Sequence, residues 1–257
     1  MIVLPIVQDI SVALALLVGL VLALEAGFRA GRRAAAKHES QASGQVGAIE
    51  GAVLGLLGLL LAFSFSAAGS RFFERQDLIT QEANAIGTAY LRADLLDEPH
   101  ASELRAALKE YTEHRLRLSR TLRSGISPAD AAEIERLHNR MWSAAAAGAN
   151  ARPALAVVVL PPVNEVIDLH STRMAAGLKH VPSLVLGLLI ACSFLGAGAI
   201  GYGCGQGRHR SGPLTVPLAI LIGISLWITI DLDRPRAGLL QLSDAPLAEL
   251  KFSKEPK

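Results

Sequence analysis

The residues of this chain whose types and spacing suit chemistry fall into two polar sets. Asn164 and Asp168 stand four apart, which places them on one face of any helix that carries them, and His170 and Arg173 follow closely. If that helix runs antiparallel to one carrying Glu82 and Asn84, then Glu82, Asn84, Asn164, Asp168 and His170 come to comparable heights and can meet. Such residues have three readings, a cation or anion site, a set of structural hydrogen bonds, and ordinary solvated helix faces, the last two being favoured. The second set is charged. Asp231, Asp233 and Arg234 close one apolar run, while Arg71 and Arg75 close another. Charges held at a lipid boundary do best when paired, so an interfacial network of Arg71, Arg75, Asp231, Asp233 and Arg234 is expected.

Neither set spells out a catalyst. Gly196, Gly198 and Gly201 satisfy the G-x-G-x-x-G pattern, but a dinucleotide fingerprint needs a strand before it and a helix after it. This one lies inside an uncharged run long enough to span a bilayer, so it reads as helix packing. The chain contains no H-E-x-x-H, paired C-x-x-C, G-x-S-x-G or Walker sequence, and its seven histidines are scattered. Cys192 and Cys204 share one apolar run and read as packing residues. The expectation is a protein with no metal site and no cofactor that is not an enzyme. A net charge of +2 with dispersed basic residues points away from nucleic acid.

The elements that must position these residues are helical and partly membrane-bound. At 51% hydrophobic the chain is too apolar for a soluble domain of 257 residues, yet its charged stretches are too long for an all-membrane protein. Uncharged runs at Ile10 to Leu24, Gly51 to Ser70, Val181 to Gly207 and Ser211 to Ile230 give four transmembrane helices, with the lipid bilayer as the first partner. The second run does not end where it leaves the apolar stretch. No proline occurs before Pro99, and Leu54, Leu61, Phe65, Phe72, Ile79, Ala83, Ile86 and Tyr90 recur at helical spacing, so a single helix of about 50 residues and about 75 Å is expected from Gly47 to Leu96, the second span continuing as a stalk. Beside this stripe runs a face of small residues that includes Gly51, Gly55 and Gly58, the spacing that lets helix backbones approach in lipid. Ser193, Ala197, Gly201 and Gly205 form a ridge suited to meet it.

Between the second and third spans the chain reads as an all-helical insertion. One helix starts at Pro99 and stops at Gly125. A second is capped by Ser127 and broken by Gly148, Asn150 and Pro153. A third, from Ala154 to His180, is interrupted by Pro161 and Pro162. The all-α division is therefore 1–70 for the first two spans, 71–180 for a helical bundle, 181–232 for the last two spans and 233–257 for a tail. Short basic loops follow the first and third spans: Arg29, Arg32, Arg33 and Lys37 with the turn His38 to Gln45, and Arg208 to Arg210. The positive-inside rule places them in the cytoplasm and the insertion outside it.

Three segments carry a family resemblance: Phe63-Ser-Phe-Ser-Ala-Ala-Gly-Ser-Arg-Phe-Phe-Glu-Arg-Gln-Asp-Leu, then Glu82-Ala-Asn-Ala-Ile-Gly-Thr-Ala-Tyr-Leu-Arg, then Asp231-Leu-Asp-Arg-Pro-Arg-Ala-Gly. The chain resembles the bacterial bestrophin-like domain family of unassigned function. Bestrophins are pentameric chloride channels with four spans, a helical domain inserted between the second and third, and a pore lined by the second span. The resemblance implies a bacterial inner (plasma) membrane, a homo-oligomer, anions as permeating partners, and Leu61, Phe65 and Phe72 as the pore constriction, with Arg71-Phe72-Phe73 matching the Arg-aromatic-aromatic element of the bestrophin pore. The sequence departs from animal bestrophins in lacking an acidic calcium clasp and in the side on which the insertion is expected. The alternative is a non-channel sensory or scaffolding module whose extramembrane domain binds a partner or ligand.

Overall fold

A computed structural model describes residues 3–37, 43–121, 126–207, 210, 212–234 and 238–252. All regular structure among them is helical: α1 (Val3–Lys37), α2 (Ser43–Ala93), α3 (His100–Thr121), α4 (Pro128–Ala151), α5 (Ala156–Leu178), α6 (Ser183–Gln206), α7 (Gly212–Asp233) and α8 (Ala245–Ala248), with a 3-10 turn at Pro153–Leu155. Four helical stretches are long and apolar enough to cross a membrane: Ile10–Ala36, Gly47–Ala93, Pro153–Gln206 and Gly212–Asp233. The turn expected between the first two spans, the stop at Gly125, and Arg208, His209, Pro235 and Arg236 lie wholly or partly outside the described residues. The chain divides into two compact units. One comprises the residues up to Phe72 with His180–Gln241, the other Phe73–Lys179 with the residues from Leu242.

In the first unit α1 and α6 interlock through backbone. A Cβ added at Gly27 or Gly31 of α1 would fall on the carbonyls of Gly198 or Tyr202, and one at Gly201 or Gly205 of α6 would fall on those of Leu24 or Phe28. Only hydrogen at these four positions lets the helices come so close, and proximity of this kind is what drives helix association in lipid. The small ridge of α6 is thus spent on α1 and not on α2, which corrects the sequence expectation. The Gly27-Phe-Arg-Ala-Gly31 spacing supplies the reason, since it offers α6 a second glycine face. Leu16, Leu20, Leu57, Leu189, Ala197, Ala219, Ile222 and Leu226 fill the core where α1, α2, α6 and α7 meet, with Leu54, Leu60 and Leu61 of α2 packed against it.

The second unit is built on an apolar core that draws Ile79, Ala83, Ile86 and Ala89 from α2, Leu104, Leu108, Tyr111 and Leu118 from α3, Ile134, Leu137, Met141 and Ala145 from α4, and Val159, Val163 and Val166 from α5. The caps follow the sequence. The Ser127 hydroxyl accepts the Asp130 amide at 3.1 Å, with Pro128 in the first turn of α4. Two expectations give way. Gly148 lies inside α4 rather than ending it, because a side chain there would press on Leu96 and His100, so the glycine serves packing. Pro161 and Pro162 lie within an unbroken α5. Pro162 has no N–H to offer the Val158 carbonyl four residues back, and that carbonyl accepts from Arg92 at 2.8 Å instead, which offsets the missing bond.

Candidate functional site

The strongest concentration of chemistry lies within the second unit, around a carboxylate with no solvent exposure. Glu82 projects from α2. Tyr111 and Arg115, four apart on α3, lie on one face of their helix, as do His170 and Arg173, three apart on α5; His138 comes from α4. The Tyr111 hydroxyl donates to Glu82 Oε1 at 2.5 Å, and an Arg173 N–H donates to Oε2. The Arg115 Nε lies 3.3 Å from Oε1 but out of hydrogen-bond alignment, and its side chain is 3% exposed. Three rings close the cluster. His138 lies 5.3 Å from Tyr111 and 5.1 Å from His170 between centroids, and His170 Nδ1 is 3.5 Å from the Tyr111 oxygen.

Burial sets the protonation of these groups. It pushes the Tyr111 hydroxyl up to about 12, which keeps it a donor to Glu82. Burial, reinforced by the neighbouring Arg115 guanidinium, depresses His138 to about 4 and His170 to about 3, so both rings are neutral near pH 7. One carboxylate therefore faces two guanidiniums with no further charge on the cluster. Buried Arg115 Nε and His138 Nε2 both lack a hydrogen-bond partner among the described residues. Arrangements of this kind are costly to leave uncompensated, since a desolvated cation recovers its solvation only through a partner.

Of the residues expected here from sequence, Glu82 and His170 are brought together through Tyr111. Asn84, Asn164 and Asp168 are exposed, the last two bonded to each other at 2.6 Å on the outer face of α5. The helical period explains this separation: two residues from Glu82 to Asn84, or from Asp168 to His170, turn the side chain to the far side. Tyr111, Arg115 and His138 were not singled out. The signal was nonetheless present, because Arg115 interrupts the apolar series Leu104, Leu108, Tyr111, Leu118 at a position where the spacing calls for a buried residue.

Of the boundary charges, Asp231 and Arg71 bond to backbone. In the first unit both oxygens of Asp231 accept amides, Leu239 N at 2.9 Å and Leu240 N at 2.8 Å, and a Cβ at Gly238 would collide with that carboxylate. Among the described residues Asp231 therefore meets amides and not Arg71, whose guanidinium returns to the Ala67 carbonyl at 3.1 Å. Asp233 accepts from Val181 N at 2.9 Å and stands 3.2 Å from His180 Nδ1, tying the entry of α6 to the end of α7. Arg234 is exposed. In the second unit Arg75 donates to the carbonyls of Ala176 and Lys179, capping the C-terminus of α5 with a cation where the helix dipole favours one.

On α2 the three residues expected at a constriction differ in setting. Leu61 and Phe72 are half-buried, and Phe65 is exposed. Leu61 packs on the core of the first unit. Among the described residues of the first unit, Leu57, Ser64 and Ala68 are the buried residues of α2. On the opposite face Gly51, Gly55 and Gly58 would meet nothing within 4 Å if given a side chain, and Ala62 and Ser66 beside them are exposed.

No curated protein and no solved structure gives a match to this sequence. A family model described as the Bestrophin-like domain matches residues 15–247, a span that takes in most of the first apolar helical stretch, the other three entire, and the whole polar cluster. On that coverage the chain belongs to the bestrophin-like domain family.

Proposed function

We propose that this multi-pass membrane protein is a homo-oligomeric anion channel whose pore is lined by α2, with Phe65 and the half-buried Phe72 narrowing it while Leu61 packs inward on the core of its own unit. The observation that carries this reading is the open small-residue face of α2. A transmembrane helix that buries Leu57, Ser64 and Ala68 on one side presents Gly51, Gly55, Gly58, Ala62 and Ser66 on the other, where no element of its own unit covers them. Small residues facing lipid gain nothing there, whereas facing like copies around an axis they let backbones approach and expose peptide dipoles and the Ser66 hydroxyl to passing ions. Family membership supports this reading at the level of fold only. No enzymatic step is proposed.

The non-channel alternative, a membrane module whose helical unit binds a ligand, is favoured by one specific observation, the excess of positive charge around Glu82. Cysteine cross-linking separates the two. With Cys192 and Cys204 replaced by alanine, Ala62→Cys is expected to form inter-subunit disulfides in membranes, in ladders longer than dimers when combined with Ser66→Cys. Ladders absent at both positions, with the same protein migrating as a monomer in detergent, would remove the pore and leave the module.

A further inference from the structure

We infer that the helical unit holds a small inorganic monoanion of halide size in its interior, bound by Arg115 with the His138 ring beside it. The charge balance is the starting point. Glu82 is fully buried, and its two oxygens accept from Tyr111 and Arg173, one each. Arg173 is thereby neutralised. Arg115 is left as the second cation of the cluster, with a side chain 3% exposed and one ion-pair approach, at 3.3 Å, to an oxygen that Tyr111 already occupies. Among the described residues its buried Nε makes no hydrogen bond. A guanidinium is a fork of donors with no acceptor capacity, so what completes it accepts hydrogen bonds, and with one carboxylate set against two guanidiniums an anion also balances the charge.

The surroundings narrow the choice. His138 Nε2, buried and likewise unpartnered, donates when the ring carries its proton there. The Tyr111 hydroxyl is engaged as a donor to Glu82. Leu104, Leu108, Leu137, Met141, Val163 and Val166 belong to the apolar core of the same unit, and their side chains add no donors for the several oxygens of a phosphate or sulfate. A divalent cation is excluded by the net positive charge. A monatomic anion asks for few donors and a single counter-charge, which matches what Arg115 and His138 have left. The site is separate from the proposed pore and does not rest on it.

Thermal unfolding of the purified full-length protein in detergent tests this directly. Sodium chloride and sodium bromide are titrated against sodium gluconate at constant ionic strength. A halide bound to the folded state alone raises the melting temperature saturably, by about 5–10 °C at a hundredfold excess over its Kd. Arg115→Gln is expected to abolish that rise while melting in gluconate at or above the parent protein, because an uncompensated charge has been removed. Bromide anomalous scattering from crystals provides a reading that needs no variant, with a peak expected beside Arg115. A melting temperature indifferent to halide in the parent protein, or a halide response that survives in folded Arg115→Gln, would overturn the assignment. So would a bromide peak confined to the α2 face.

Discussion

Glu82 and the groups around it show how much one residue can decide. Its carboxylate is the single negative charge set against Arg115 and Arg173, so Glu82→Gln keeps the shape and leaves two buried guanidiniums facing each other. The expected loss is about 3–5 kcal/mol in a denaturant titration at pH 7.5, with Asp168→Asn, on the exposed side of α5, near zero. Equal effects would mean that the cluster is wetter than its burial indicates. The two imidazoles give a pH signature with a definite sign. Above about pH 6.5 His138 and His170 are neutral whether the chain is folded or not, and contribute nothing. As pH falls below that, the unfolded chain takes up protons that the folded core refuses until about 4 for His138 and about 3 for His170. Stability is therefore expected to decline from pH 6.5 towards 5, before most carboxylates titrate, and His138→Gln should flatten part of the slope. A stability profile that is level across that window, in parent and variant alike, would contradict neutral buried rings.

At the level of elements, α1 and α6 are held by four glycines placed against carbonyls, and α2 carries glycines placed against nothing. Gly27→Ala forces a methyl onto the Gly198 carbonyl and should cost about 1–3 kcal/mol as the helices separate; Gly55→Ala, open on its face, should leave the melting temperature of the monomeric protein within experimental error. The reverse ranking would mean that the α1–α6 interlock is not where the first unit gets its stability. The contrast also shows what was legible in the sequence. Four apolar runs, the Ser127 cap and the helical spacing from Leu54 to Tyr90 each depend on local chemistry, and each can be read directly. Which glycine face meets which cannot, because every face of a membrane helix is apolar or small, and packing against lipid, a neighbouring span or another copy leaves the same residues. Pro161 and Pro162 were misjudged for a related reason. A proline breaks a helix when its freed carbonyl finds no donor, and here Arg92, far away in sequence, supplies one. The polar cluster was half legible: Glu82 and His170 stood out, but Arg115 and His138 acquire meaning only once three helices bring them to the same carboxylate.

At the scale of the whole molecule, the positive-inside rule applied to the basic residues near the end of α1 predicts a helical insertion on the side away from the cytoplasm. Ser102, exposed at the start of α3, reports the side: Ser102→Cys, in a background lacking Cys192 and Cys204, should react with a membrane-impermeant maleimide in intact cells, and protection there with labelling only after lysis would reverse the orientation. The central claim is permeation along α2, and vesicle flux tests it most directly. Purified protein reconstituted into vesicles with a chloride gradient and a halide-sensitive dye inside should pass chloride faster than protein-free vesicles. Phe65→Ala, which removes the exposed ring from the α2 face without touching the core of the first unit, should raise that flux about threefold or more, about 0.65 kcal/mol off the barrier. Folded, oligomeric protein that passes no more chloride than empty vesicles, with Phe65→Ala equally silent, would contradict the account.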